Sequence, residues 1–142
     1  MSQGSEREVE VLIEVSAGGL VKWGADGGVD FVSPLPCPFN YGSVPGRVAP
    51  DGDPPEALLL GPALPRGRRQ RGREVGLVRF LDDGQRDDKL LCLPLDRAGP
   101  PTPGELFRVR AFFRLYARVK ALSHRLRGRR GPTRFEGLEL GP

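Results

Sequence analysis

Between Pro38 and Leu58 the chain reads PFNYGSVPGRVAPDGDPPEAL, a run so loaded with proline and glycine that no helix can pass through it. Any fold must carry this segment as turns and short extended pieces. Within it three carboxylates crowd together. Asp51 and Asp53 are two residues apart, so an extended backbone points both the same way, and Glu56 follows the stiff pair Pro54-Pro55. Like charges this close repel unless water solvates them or a hard divalent cation sits between them, and an all-oxygen ligand set suits Mg²⁺ better than Zn²⁺. Asp-Gly and Pro-Pro are also ordinary turn chemistry, and a solvated acidic turn accounts for DGD taken alone.

The rest of the chain agrees with a fold of short strands. At 142 residues it fits one domain with a core of its own, running from Val9 to Pro142 after a polar, frayed lead at Met1–Glu8. Its 20 glycines and 15 prolines demand many turns, with some disorder as the competing reading. Cys37 and Cys92 stand outside any CxxC pair and read as reduced thiols of an intracellular protein. The absence of a leader-like segment and of an apolar run of membrane-spanning length predicts a soluble cytoplasmic protein. The net charge of +4 is uneven, because arginine crowds Arg66–Arg73 and Arg108–Arg134. Such a surface can bind nucleic acid or polyphosphate, focus a small anion toward an acidic metal site, or simply be solvated.

Alternation predicts a strand over Glu10–Val15, with Val11, Ile13 and Val15 on one face and Glu10, Leu12 and Glu14 on the other. A second strand begins at Leu20–Trp23 and a third spans Val29–Ser33. Ala57–Leu60 reads as a buried strand and Gly61–Gly72 as a loop. Arg73–Leu81 is a strand with Val75, Leu77 and Arg79 opposite Gly76, Val78 and Phe80. A second acidic group, Asp82-Asp83-Gly84-Gln85-Arg86-Asp87-Asp88-Lys89, reads by itself as a hairpin loop leading into the strand Leu90–Leu93. Pro103–Arg127 is the one substantial helix, with Thr102 as its cap. Its apolar residues, Leu115, Leu122 and Leu126 among them, follow helical spacing. His124 belongs on the helix surface and is not a ligand. Thr133–Leu140 supplies a last strand. No P-loop, Rossmann glycine pattern, HExxH or Ser-His-Asp set occurs.

Several of these segments together resemble the family I soluble inorganic pyrophosphatases. Asn40-Tyr41-Gly42 precedes Asp51-Gly52-Asp53-Pro54-Pro55-Glu56, which is similar to the family's Asp-x-Asp-Pro-x-Asp with Glu56 in the third acidic place. Asp82, Asp87 and Lys89 keep the register of its second acidic motif, and Phe112-Phe113 with Tyr116 resembles its Phe-Phe-x-x-Tyr-Lys helix, with Ala117 at the lysine. Glu14 and Lys22 match a site-facing glutamate and a phosphate-binding lysine, whereas Gly24 stands at a frequent acidic position and Val29 at a phosphate-gripping arginine. Arg47, or an arginine of Arg66–Arg73, is available to fill that gap; so are Arg118 and Lys120 for the lysine replaced by Ala117. Phe135-Glu136-Gly137 is similar to a closing Val-Glu-Gly, so the likeness covers Val9 to Gly137.

The resemblance implies a mainly β (α+β) fold, a five-stranded OB-like barrel with flanking hairpins and one main C-terminal helix, which the strand periodicity and single late helix independently suggest. It implies Mg²⁺-dependent hydrolysis of pyrophosphate to two phosphates, with Mn²⁺ as a substitute. Asp51, Glu56, Asp82 and Asp87 would hold the metals, Glu14 would contribute through water, and Asp53 would be the general base. Lys22, Tyr41, Lys89 and Tyr116 would bind substrate oxygens. Bacterial members of the family imply a homo-oligomer. The departures at Glu56, Val29 and Ala117 leave open a paralogue that binds metal and phosphate without efficient turnover. The basic segments, with Trp23 and Phe39 available for stacking, leave open an OB-type nucleic-acid module.

Overall fold

The computed structural model describes residues 8–23, 31–50 and 52–141, and their side chains except those of 20–23 and 31–35. Among the described residues, nine strands and one helix follow in order: β1 (Glu8–Val15), β2 (Leu20–Trp23), β3 (Phe31–Pro36), β4 (Asn40–Ser43), β5 (Glu56–Leu59), β6 (Arg69–Asp82), β7 (Gln85–Arg86), β8 (Lys89–Pro94), α1 (Pro103–Leu126) and β9 (Arg134–Leu140).

Five of the strands close on themselves. β1 pairs antiparallel with β4, β4 with β5, β5 runs parallel to β8, β8 is antiparallel to β6, and β6 returns to β1. Closure leaves this ring no free edge. The hairpin β2–β3 stands beside it as a separate pair, and β9 lines the far half of β6.

The length of β6 makes the ring possible. Arg69–Gly72 pair with β1, so these residues are strand where the loop expectation for Gly61–Gly72 had placed them in a turn. The arginines that suggested a loop are matched to acids on the neighbouring strand: Arg69 reaches Glu10 at 3.0 Å and Arg71 pairs with Glu8. The predicted alternation within β6 also breaks. A bulge between Glu74 and Gly76 puts Val75 on the same core as Val78 and Phe80 instead of opposite them.

Side chains of β5 and β8 divide between two apolar clusters. Leu58, Leu91 and Leu93 pack with Phe39, Phe80 and α1, while Ala57, Leu59 and Cys92 join Val11, Ile13 and Val44 on the other face. Gly42 explains how β4 fits so tightly: a Cβ there would lie 1.7 Å from the Leu12 carbonyl oxygen, so only glycine lets β4 press against β1. Asn40 beside it is a buried tie. Its amide donates to the carbonyls of Leu59 (3.2 Å) and Pro62 (2.9 Å), and its oxygen accepts from the amides of Ala17 (3.1 Å) and Leu64 (2.9 Å).

Helix α1 starts as its sequence predicts. Thr102 accepts from the Glu105 amide at 3.1 Å, Glu105 reaches back to the Thr102 amide at 2.9 Å, and Pro103 opens the first turn. Val109, Phe113 and Tyr116 face the barrel; the Phe113 ring stacks on Phe39 at 5.8 Å. Leu115, Leu122 and Leu126 do not. They lie exposed on the outer face, because the helix covers the barrel with only one side. Cys37 and Cys92 are buried free thiols, and burial pushes both up to about 12. Among the described residues no helix is long and apolar enough to cross a membrane.

Candidate active site

Parallel pairing of β5 with β8 sets the first element of the site. Ala57 stands opposite Leu90, which brings the preceding residues, Glu56 and Lys89, together at the same end of the ring. Glu56 is therefore the first residue of a strand and not part of the proline turn. Lys89 is fully buried, and its Nζ donates to Glu56 Oε1 at 2.9 Å and to the Asp87 carbonyl at 2.9 Å, with Asp87 Oδ2 at 2.7 Å. The Phe80 ring lies 5.4 Å from the ammonium.

Two carboxylates share this one ammonium, which acts on them against unequal burial. Burial alone would push Glu56 up, but Lys89, with a smaller contribution from Tyr41, holds it below the ordinary carboxylate range. Asp87 goes the other way: burial, with the negative charge of Glu56 added, outweighs Lys89 and raises it to about 6. Burial lowers the proton affinity of Lys89, yet the two acids more than restore it. Tyr41 and Tyr116 are buried beside the cluster, and desolvation, then the nearby carboxylates, raise both phenols.

The loop from Asp82 to Lys89 sorts its aspartates into two kinds. Asp88 Oδ1 accepts from the Phe80 amide at 2.9 Å and Asp83 Oδ1 from the Gly131 amide at 2.8 Å, so these two hold backbone in place. Asp82 and Asp87 line the cavity, and Asp88 reaches it as well. The turn between them needs left-handed backbone at Asp83 (φ 50) and Gly84 (φ 82).

Asp82 meets the helix. Lys120 Nζ lies 2.6 Å from its Oδ2 and His124 Nε2 lies 2.6 Å from its Oδ1. Burial pushes Asp82 up, but the ammonium and imidazole contacts prevail and hold it below its usual value. His124 is only 7% exposed, which corrects the expectation of a surface histidine. Tyr116, Lys120, His124 and the C-cap Arg127 recur at helical spacing; Lys120 was already a candidate, and for His124 and Arg127 that spacing was the signal, hidden among the arginines of the same segment.

These groups line one cavity of about 670 Å³. Asp53, Glu56, Asp82, Asp87 and Asp88 contribute carboxylates, and Lys120 and His124 of α1, with Arg127 at its C-cap, contribute nitrogens. Asp53 is placed by the turn in which its carbonyl accepts from the Ala49 amide at 2.7 Å. Arg47 also lines the cavity, but its guanidinium pairs with Glu74 at 3.0 Å. Glu14 stands beside the cluster, bonded by the Ser43 hydroxyl at 3.1 Å; desolvation raises its carboxyl, and the Glu56 charge raises it further. Arg73 faces elsewhere, donating to the carbonyls of Arg97 and Gly99 at 2.9 Å each. Asp51, Val29 and Gly24, and the side chain of Lys22, lie outside the described residues.

The donor set suits a hard divalent cation. It includes oxygens of two carboxylates, Glu56 and Asp87, set against the one Lys89 ammonium. Among the described residues no three acidic, thiol or imidazole groups form a closed cage.

Fold and site together define a small closed β-barrel carrying an acidic cavity walled on one side by helix-borne cations. The family model for inorganic pyrophosphatase matches residues 11–131, and the chain belongs to that family. The inorganic pyrophosphatase of Gluconobacter oxydans is 36% identical over 101 residues, covering 66% of this chain and 58% of its own. Soluble inorganic pyrophosphatase 5 of Arabidopsis thaliana is 32% identical, covering 75% of this chain and 56% of its own. The chain thus spans a little over half the length of these curated relatives. Among solved structures, the Helicobacter pylori inorganic pyrophosphatase superposes with a TM-score of 0.69 at 26% identity, over 97% of this chain and 87% of that one. The five-stranded barrel with one late helix expected from the sequence is the fold observed.

Proposed function

We propose that this chain hydrolyses inorganic pyrophosphate to two phosphates with Mg²⁺, for which Mn²⁺ can substitute. The observation that carries the reading is the meeting of Asp53, Glu56, Asp82 and Asp87, from two distant acidic segments, in one cavity opposite a wall of cations. Asp51, Glu56, Asp82 and Asp87 would hold the metal, with Glu14 acting through water. A divalent cation there supplies charge neutralisation on phosphoryl oxygens and lowers the pKa of water.

Asp53 lines the cavity beside these acids, and the family resemblance assigns it to accept a proton from the attacking water. As the new P–O bond forms, the bond to the bridging oxygen breaks and the departing phosphate carries the electron pair away. Lys22, Tyr41, Lys89 and Tyr116 are assigned to the substrate oxygens; the burial of Tyr41, Lys89 and Tyr116 strengthens any contact they make to an anion.

Phosphate release from pyrophosphate, measured with and without Mg²⁺, tests this. Asp53→Asn should lower the rate by about 10² to 10⁴-fold, the usual worth of a positioned general base. Activity of the unaltered chain no greater than that of the variant would retire hydrolysis in favour of a paralogue that binds metal and phosphate without turnover. Nucleic acid is the weaker assignment, since Arg69, Arg71 and Arg73 are engaged within the fold. The exposed leucines of α1 support a homo-oligomer, and the buried free thiols support a reducing, cytoplasmic setting.

A further inference from the structure

We propose that Asp83 is a positioning residue of the acidic loop: it clasps the backbone at Gly131 and so holds Asp82, its neighbour in the chain, in the orientation from which Asp82 ligates a divalent cation. The inference rests on the reading of Asp82 as a metal-holding carboxylate. It gives a role to a residue that does not itself line the cavity.

The need for a clasp follows from where the sheet stops. β6 and β9 run side by side as far as Leu81 and Arg134, and β7 is only two residues long, with Gln85 opposite Asp82. Asp82 is thus the last residue of β6, at the base of a hairpin tip that so short a ladder holds weakly. Three hydrogen bonds carry the contact past the end of the sheet. The Asp83 amide donates to Thr133 Oγ1 at 2.9 Å, the Gly84 amide to the Pro132 carbonyl at 2.7 Å, and the Gly131 amide to Asp83 Oδ1 at 2.8 Å. Both amides of the tip therefore end on the segment that follows α1, where an unsupported turn would leave them to water.

The approach is as close as a backbone allows. A Cβ at Gly131 would lie 2.5 Å from the carbonyl carbon and oxygen of Asp83, so only glycine seats there. Asp83 is the one non-glycine residue with left-handed backbone (φ 50) among the described residues, a conformation that aspartate tolerates better than most side chains. Only residues 127–130 separate the end of α1 from Gly131, and Arg127 and Arg129 among them line the cavity. Lys120 and His124, farther back in the same stretch, meet the Asp82 carboxylate. One continuous piece of chain thus holds Asp82 by its side chain and the next two residues through the clasp. A shift of the tip turns the Asp82 carboxylate out of place, and misplacement by about an ångström can cost on the order of 10²-fold in rate.

Calorimetric titration with Mn²⁺, urea unfolding, amide exchange and the Mg²⁺ dependence of pyrophosphate hydrolysis test the clasp together. Asp83→Gly keeps the left-handed backbone and removes the acceptor for Gly131. It should weaken Mn²⁺ binding by about ten- to a hundred-fold, the range for an outer partner of a metal ligand, and raise the Mg²⁺ concentration for half-maximal turnover in step. Asp83→Asn retains an acceptor oxygen and should recover most of that affinity, whereas Gly131→Ala should lose it as Asp83→Gly does. Glu105→Gln, at the far end of α1, should lower stability without moving the Mn²⁺ affinity. In the metal-free protein the Gly131 amide should exchange slowly with solvent, and Asp83→Gly should speed it. Unchanged Mn²⁺ affinity in Asp83→Gly overturns the inference. So does a loss in Asp83→Asn as large as that in Asp83→Gly, or a Gly131 amide that exchanges like an exposed one in the unaltered chain. Should Asp83→Gly fail to fold, Thr133→Val decides, because it removes the acceptor of the Asp83 amide at little change of shape: several-fold weaker Mn²⁺ binding supports the clasp and equal binding overturns it. An unaltered chain that binds Mn²⁺ yet releases no phosphate overturns the pyrophosphate reading, with the clasp still decided by the titrations; one that binds no Mn²⁺ overturns both.

Discussion

The two ends of α1 carry acid–base clusters of opposite character. At the N-terminal end, Glu105 takes both Arg97 nitrogens, one at 2.6 Å, and also completes the helix cap. Its carboxyl is drawn down to about 2, chiefly by the Arg97 hydrogen bonds. At the other end, Asp82 faces two helix nitrogens, and beyond it Glu56 and Asp87 share a single buried ammonium, leaving Asp87 raised to about 6. One cluster is balanced pair by pair at the surface and secures the fold. The other is buried, unevenly balanced and open to a cavity, which is the electrostatic condition of a site that exchanges ions.

The contrast breaks most severely if Lys89 proves dispensable. Lys89→Met leaves Glu56 and Asp87 facing each other without their cation, and we expect a loss of about 3 kcal/mol or more in a urea titration of the metal-free protein. Added Mg²⁺ should return part of that stability by supplying the charge. A loss confined to a few tenths of a kcal/mol would show the cluster to be solvated and would undo its contrast with Glu105.

A smaller effect is expected at the balanced end. Glu105→Gln, which keeps some capping capacity but loses the ion pair, should cost about 1 kcal/mol at neutral pH. The pH dependence sharpens the test. Because folding depresses the Glu105 carboxyl, its contribution is fully present above the ordinary value of 4.5 and is lost as pH falls through about 2. The variant should therefore show a shallower acid limb in thermal melts between those values.

The smallest effect belongs to the outer face of α1. Leu122 is 57% exposed, and Leu122→Gln should change monomer stability by no more than about 0.5 kcal/mol. If sedimentation shows that it dissociates an oligomer, that face is an interface between copies. A larger loss of stability without dissociation would mean that Leu122 is packed after all.

Much of this arrangement was legible in the chain. Alternation located β1, turn chemistry located the Asp83-Gly84 hairpin, and Thr102-Pro103 with Glu105 marked the start of the helix, because each depends on residues within a few positions of one another. The two acidic segments, each by itself readable as a solvated turn, became site material only through their likeness to the family's motifs. Segments whose partners are distant were harder to read. Arg69–Gly72 looked like loop until the acids of β1 supplied matching charges, and the helical spacing of Leu122 identified a face without saying what covers it.

Composition and local pattern thus determined that this chain would be a turn-rich set of short strands with one capped helix and two acidic segments. Tertiary structure alone decided which charges meet. Parallel pairing of β5 with β8 set Lys89 between Glu56 and Asp87, and the path of α1 across the barrel carried Lys120 and His124 to Asp82. Local preferences act over a few residues, whereas the free energy of a buried charge depends on every group packed around it, however far away in the chain.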